Sequence, residues 1–357
     1  MNSASGRVTI QQLARSLGLH HSTVSRALSG HPKIAPETGR RVRELAERLD
    51  YRPDPYLAGL SAYQRGRQAA RFTGTLAWVT NWPTRDGWRS NHAFPQYLDG
   101  ARRRADALGY KVEEFWIREQ GRSPDAALRV LRARGVQGLL WVPQPESHTR
   151  LDVDLSRFSA VTFGFTLESP ALHTVTSHAY RTMIALLERL TALGYRRPGL
   201  AASAFCEERV NRMWSAAFWA FEAQRGKRRG VVPPLVMETP TAAELQAWVR
   251  RQRPDVVIVT DLADMQAWIE EGGWKIPEEI GVVPTITSDN SFLSGMNENG
   301  PVIGAAAVDL LVSMLHRNER GVPEHPQRVM IDATWVDGKS VRPQQKGGNK
   351  TKADLAA

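Results

Sequence analysis

Between Val8 and Leu28 apolar residues recur three and four positions apart, the spacing of one helical face. Leu13, Ala14 and Leu17 predict a helix from about Ile10 to Leu17, with Thr9 and Gln12 at the spacing of a capping box. Gly18 supplies the left-handed position that ends it. A second helix, from near His21, carries Val24 and Leu28 inward and leaves His21, Ser22, Ser25 and Arg26 outward. After the loop Ser29-Gly30-His31-Pro32-Lys33, Pro36 opens a third helix whose stripe is Val42, Leu45, Ala46 and Leu49. From Phe72 the pattern changes to strands alternating with helices. Strands are expected at Thr75–Thr80, Lys111–Trp116, Gly138–Val142, Ser159–Phe163, near Leu200, at Asp255–Thr260, at Gly281–Val283, and as one last run at Arg328–Trp335. Helices are expected at Tyr97–Leu108, Pro124–Arg134, Thr182–Leu193, Arg212–Gln224 and Gly304–His316. This alternation implies an α/β body with two parallel sheets, each covered on both faces, and a ligand cleft between two lobes.

Charge sharpens the first part of this reading. The net charge of +10 favours a polyanionic partner, although a basic solvated surface gives the same figure. In the first seventy residues Lys and Arg outnumber Asp and Glu about two to one. A short polar helix with a basic residue, set on a small apolar support, is what reading the major groove requires. The single cysteine, Cys206, excludes an internal disulfide and reads as a small buried residue. His20 and His21 have no third ligand at a sensible spacing, so no metal and no cofactor are expected. No Gly-x-Ser-x-Gly motif or phosphate-cradling glycine loop is present, and nothing supports catalysis. There is no apolar run of membrane-spanning length and no secretory signal, so a cytoplasmic protein is expected.

Four spaced pieces carry a resemblance: VTIQQLA, the TVSRAL run at Thr23–Leu28, IAPETGRRV, and LDYRPD at Leu49–Asp54. Together they resemble the headpiece of the lactose-repressor (LacI/GalR) family of bacterial transcription regulators. Weaker pieces follow in the body: Phe94 with Leu98-Asp99-Gly100, RLTALGYRRPGL, WKIPEEIGVV and GAAAVDLL. These resemble the family's periplasmic-binding-protein-like (type I) effector domain. The resemblance divides the chain into a disordered tail (1–6), a helix-turn-helix headpiece (7–52), a hinge (53–71), a two-lobed effector-binding and dimerisation domain (72–343) and a basic disordered tail (344–357).

The resemblance also implies roles. His21, Ser22 and Arg26 would touch base edges, and Arg26 can donate two parallel hydrogen bonds to guanine. Thr9, Thr23 and Ser25 would hold phosphates, which fixes register rather than sequence. Leu60 stands where the family wedges a leucine into the minor groove, while Leu57-Ala58-Gly59 departs from the family's hinge. The alternative for Tyr56, Leu57, Leu60 and Tyr63 is packing within a dimer. His20 replaces the usual serine cap and is expected to cap poorly, leaving the helix start weaker or dependent on Ser22. For a ligand, the resemblance singles out Arg212, which would bind the effector or bridge the lobes by a salt bridge, and Asp261. Trp82 and Phe94 are candidate aromatic platforms, with core packing as the alternative. Pro284-Thr285-Ile286-Thr287 and His178 stand where the family carries acidic residues. The Asn81–Ser90 loop is long and holds two tryptophans. The expected function is a sequence-specific DNA-binding regulator, a repressor on a palindromic operator. It would act as a homodimer and answer to a small molecule, a sugar among the candidates. The competing reading is a cytoplasmic carbohydrate-binding protein without a regulatory role.

Overall fold

The computed structural model describes residues 10–28, 34–49, 74–121, 123–225, 231–260, 262–287 and 292–344. The chain separates into two compact units, Met1–Arg71 and Phe72–Ala357.

In the first unit, helices α1 (Ile10–Leu17), α2 (His21–Leu28) and α3 (Pro36–Arg48) enclose a core of Leu13, Ala14, Val24, Ala27, Val42, Leu45 and Ala46. Gly18 adopts φ +62°, and the Leu19 N–H closes back onto the Ala14 carbonyl at 2.9 Å. Only a residue tolerant of the left-handed region turns the chain that sharply. The start of α2 differs from the expectation of a poor cap. The His20 carbonyl accepts the N–H groups of Thr23 (2.9 Å) and Val24 (3.2 Å). The His20 Nδ1 accepts the Ser22 N–H at 3.4 Å and lies 2.8 Å from the Ser22 hydroxyl. An imidazole nitrogen thus serves as the side-chain acceptor that a serine would supply.

The second unit holds two parallel sheets. Its first half contains β1 (Gly74–Thr80), α4 (Ala93–Ala107), β2 (Tyr110–Trp116), α5 (Pro124–Ala133), β3 (Gly138–Trp141), β4 (Thr149–Arg150), β5 (Ser159–Phe163), β6 (Leu167–Ser169) and β7 (His173–Ser177). Its second half contains α6 (Ala179–Ala192), β8 (Pro198–Ser203), α7 (Ala204–Arg209), α8 (Met213–Gln224), β9 (Leu235–Met237), α9 (Ala242–Gln252), β10 (Val256–Val259), α10 (Leu262–Glu271), β11 (Gly281–Pro284) and β12 (Gly295–Asn297). Then come α11 (Gly300–Arg317), β13 (Arg328–Ile331) and β14 (Thr334–Val336). The first lobe is built on a sheet ordered β13-β7-β5-β3-β1-β2, and the second on β11-β10-β8-β9. Alternate residues of β1 feed opposite cores. Leu76 and Trp78 meet Phe94, Tyr97 and Leu311, while Ala77 and Val79 meet Leu128 and Leu131. Both faces being covered, the strand reads as a continuous apolar run.

Two expectations are corrected. Arg328–Trp335 is not one strand: β13 lies parallel to β7, whereas β14 pairs antiparallel with β12 in a separate ribbon. The break at Asp332-Ala333 is a passage between lobes. Strand β7 carried no apolar signal, because His173, Thr174 and Thr176 are buried polar residues. His173 is satisfied there, its Nδ1 accepting the Gln327 N–H and its Nε2 facing the Glu319 carboxylate, both at 2.9 Å. Cys206 is half-buried on α7 rather than fully buried. Of the two tryptophans in the 81–90 loop, Trp88 is fully buried beside Trp78, at 5.8 Å between ring centroids.

Helices α4 and α11 touch backbone to backbone. A Cβ at Gly304 would sit 1.9 Å from the Tyr97 carbonyl oxygen, and one at Gly100 would sit 2.0 Å from that of Pro301. This crossing fixes where Phe94 and Tyr97 stand at the carboxyl ends of the strands.

Candidate functional site

The first unit presents one polar face on α2. Helical geometry puts residues one turn apart on the same side, so His21 and Ser22 lie over Ser25 and Arg26. His21, Ser25 and Arg26 are exposed, Ser22 and Thr23 half-buried, and Val24 and Ala27 point into the core. The rings of His20 and His21 lie 4.2 Å apart. Arg15 on α1 is exposed. Arg40 on α3 is held by Glu37 (2.6 Å) and Glu44 (2.9 Å) on its own helix. Thr9, Leu60 and the rest of the hinge lie outside the described residues.

The second site is the inter-lobe region, at the carboxyl ends of the parallel strands. Open α/β sheets bind ligands at that edge, because the loops there leave a crevice. From the first lobe, Asn81 follows β1 and donates to Gln144 Oε1 (3.0 Å), while Arg118 Nε donates to Asn81 Oδ1 (2.9 Å). Gln144 follows β3 and is fixed by the Thr166 hydroxyl (2.7 Å) and the Val142 carbonyl (2.7 Å). Trp82 donates its indole N–H to the Pro143 carbonyl at 2.9 Å and accepts the Trp116 indole N–H on its own carbonyl at 2.8 Å. Its ring meets Phe94 edge-on at 6.4 Å, and Phe94 meets Tyr97 at 5.9 Å. Trp82 and Phe94 are therefore brought together; Phe94 is buried and Trp82 partly so.

From the second lobe comes Arg209. Ser203 caps α7 by accepting the Cys206 N–H (3.1 Å), and the six-residue helix ends at Arg209. Arg209 Nη1 crosses to the first lobe and donates to the carbonyls of Gln144 (2.9 Å) and Pro145 (3.1 Å). Its guanidinium lies 5.2 Å from the Phe205 ring and 6.0 Å from the Phe94 ring. Burial pulls its pKa below the ordinary arginine value. Arg212, the arginine chosen from the sequence, stands elsewhere. It takes a left-handed conformation (φ 55°), its side chain is 75% exposed, and Glu208 lies 3.8 Å away. The residue bridging the lobes is thus three positions earlier and uses backbone carbonyls rather than a salt bridge. The signal available was position: Arg209 follows Phe205 by one helical turn, on the same side of α7. Asp261 lies outside the described residues.

Two buried carboxyls near the lobe junction were also missed. Glu298 is 5% exposed; burial pushes its pKa to about 7, against donation from Tyr97 and Ser177. Burial, then Glu298, pushes the Tyr97 hydroxyl well above 10. Glu207, 2% exposed, accepts the Ser215 hydroxyl at 2.7 Å, and burial raises its pKa too. His178 and Pro284–Thr287 hold no carboxyl, whereas Glu207 and Glu298 are buried. His178 caps α6, its Nδ1 accepting the Arg181 N–H at 3.4 Å. Among the described residues no cluster suits a metal ion, and no helix is long and apolar enough to cross a membrane.

Comparison with known proteins matches two parts of the chain. Residues 9–54 match the lacI family of bacterial regulatory proteins, and residues 187–341 match the periplasmic binding protein-like domain. Catabolite control protein A of Priestia megaterium is 42% identical over 55 residues, 15% of this chain and 17% of that protein. The chain thus spans less than a fifth of that relative's length. Two solved structures share the fold over 94% of this chain. The lac repressor dimer bound to operator and the anti-inducer ONPF is 18% identical with a TM-score of 0.52, and 99% of it is covered. The complex of the transcriptional regulator CelR with cellobiose is 17% identical with a TM-score of 0.52, and all of it is covered. The chain thus joins a helix-turn-helix domain of the lacI family of bacterial regulatory proteins to a periplasmic-binding-protein-like domain.

Proposed function

We propose that this protein is a sequence-specific DNA-binding transcription regulator, a repressor that binds an inverted-repeat operator as a homodimer and answers to a small molecule held between its lobes. The observation that carries the reading is the polar face of α2, His21, Ser22, Ser25 and Arg26, standing on an apolar three-helix core. An exposed arginine on a helix of this size can reach guanine O6 and N7, while Thr9, Thr23 and Ser25 fix the helix against phosphates. A single headpiece makes few base contacts, and two-fold symmetry doubles them. The lac repressor dimer bound to operator supports the DNA partner, and the CelR–cellobiose complex supports a sugar as the ligand class. Trp82, Phe94, Tyr97 and Arg209 are the groups that would meet such a ligand. A ligand shifts DNA affinity only through unequal affinity for the two lobe arrangements.

The test is selection of sites from random DNA with the full-length protein, followed by affinity against salt. The expected result is a palindromic consensus and a steep loss of affinity as salt rises. A protein that binds sugar but shows no specific DNA affinity would be the carbohydrate-binding protein of the competing reading.

A further inference from the structure

The chain passes between the two lobes three times: between β7 and α6, between β12 and α11, and between β13 and β14. The passages are tied together. The His178 N–H donates to the Ile331 carbonyl (2.9 Å), Asn299 Nδ2 donates to the Asp332 carbonyl (2.9 Å), and the Thr334 hydroxyl donates to Asn299 Oδ1 (3.3 Å). Asn299 is left-handed (φ 59°), its N–H held by Asn297 Oδ1 at 2.8 Å. Glu298, the residue before it, places its carboxyl inside this junction. The carboxyl accepts the hydroxyls of Ser177, at the first passage, and of Tyr97, on α4. Its Oε1 has no partner among the described residues.

The charged and titratable groups on the surrounding elements do not neutralise it. On α4 these are Tyr97 and His92, whose pKa burial lowers. After β7 they are His178, which caps α6, and Arg181, which lies 3.5 Å from Asp332 of the third passage. On α7 it is Arg209, whose Nη1 donates to the carbonyls of Gln144 and Pro145. An ionised Glu298 is therefore a buried anion with two hydroxyl donors and no counter-charge, which is costly; a protonated one is a neutral group.

We propose that Glu298 is a proton-operated latch on the inter-lobe hinge: the lobe arrangement seen here holds a proton on Glu298, and loss of that proton favours an arrangement in which the carboxyl meets water. In water the carboxyl returns to the ordinary value of 4.5, against about 7 in this arrangement. Below the lower value both arrangements are protonated and pH has no effect. Between the two values the arrangement seen here loses ground by up to about tenfold per pH unit, and above about 7 the loss levels off at roughly 300-fold. The latch rests on the reading that the lobes move against each other, and it does not require DNA binding.

The test uses the full-length chain with Cys206→Ser and dye-bearing cysteines at Arg129→Cys on α5 and Arg251→Cys on α9, both exposed positions. Energy transfer is followed from pH 5 to 8.5. The parent should change between about pH 5 and 7 and level off above that. Glu298→Gln should stay in the low-pH state throughout. Tyr97→Phe and Ser177→Ala each remove a donor to the ionised carboxylate and should deepen the high-pH loss of the arrangement seen here. They carry the test if circular dichroism shows Glu298→Gln unfolded. A parent with no transition, a transition that survives Glu298→Gln, or a high-pH loss no deeper in either donor variant would overturn the latch. Operator affinity of the same proteins is read separately: a latch that titrates in a chain without specific DNA binding would remove the regulator reading and leave the latch standing.

Discussion

Replacing Gly304 by alanine tests the geometry that places the inter-lobe site. The added Cβ would lie 1.9 Å from the Tyr97 carbonyl oxygen and 2.8 Å from the Ala101 nitrogen, where ordinary contacts begin near 3.4 Å. Both atoms are backbone, so no rotamer change relieves the clash, and α4 and α11 must part by more than an ångström. Separation loosens Ala101, Ala105, Ile303, Ala307 and Val308, all fully buried. Overpacking of this kind costs about 1–3 kcal/mol and occasionally more. Alanine returns roughly 1 kcal/mol of helix propensity. The clash with two backbone atoms puts the cost at the upper end, leaving a net loss of about 2 kcal/mol or more. At about 2–4 °C per kcal/mol for a large domain, the melting temperature of the body should fall by roughly 4–8 °C. Calorimetry on the full-length protein measures it. The displaced carbonyl belongs to Tyr97, so the response to any ligand should weaken in the same variant. An unchanged or raised melting temperature would mean that the helices do not cross at these glycines, and the placement of Phe94 and Tyr97 would fall with it.

Gly39→Ala on α3 should act in the opposite sense. Its Cβ would meet only the tip of the flexible Arg43 side chain at 3.2 Å, so the headpiece should gain up to about 1 kcal/mol of stability by chemical denaturation. Arg26→Ala should weaken binding to the selected operator by about 1–3 kcal/mol per half-site and spare random DNA, whereas Arg15→Ala should weaken all sequences alike and flatten the salt slope. Equal losses on both DNAs for Arg26→Ala would remove that residue from base reading. Arg209→Met should abolish the thermal shift given by a ligand found in a screen of sugars and sugar acids, while Arg212→Ala should leave it within a factor of two or so, since an exposed charge contributes little; the reverse order would place the ligand beside Arg212. Leu60→Ala should weaken operator binding and reduce bending in a gel assay, because an apolar wedge at a flexible central step kinks the duplex. Parental bending by that variant would show that the hinge does not insert.

The sequence alone decided those features whose cause is local. Leu13, Ala14, Val24, Val42 and Leu45 recur at helical spacing, Gly18 and Pro36 mark where helices end and begin, and the three-helix unit follows. Runs such as those of β1 and β10 betray strands covered on both faces, and their alternation with helices gives two parallel sheets. The pieces of the headpiece carry the resemblance because each is a run of consecutive residues in one short helix or turn. Tertiary structure decided what depends on partners distant in sequence. Strand β7 exists as a buried element because Glu319 and Gln327 satisfy His173 from about 150 residues away. The run Arg328–Trp335 is cut in two because its halves pair with β7 in one lobe and β12 in the other. Choosing between Arg209 and Arg212 turned on the left-handed step at Asn211 and Arg212, which sends the second arginine to solvent while the first reaches the Gln144 and Pro145 carbonyls. Glu298 looked like any loop glutamate until three inter-lobe passages closed around it. Burial, and hence the pKa of a carboxyl, is set by everything packed against it, and no window of sequence contains that information.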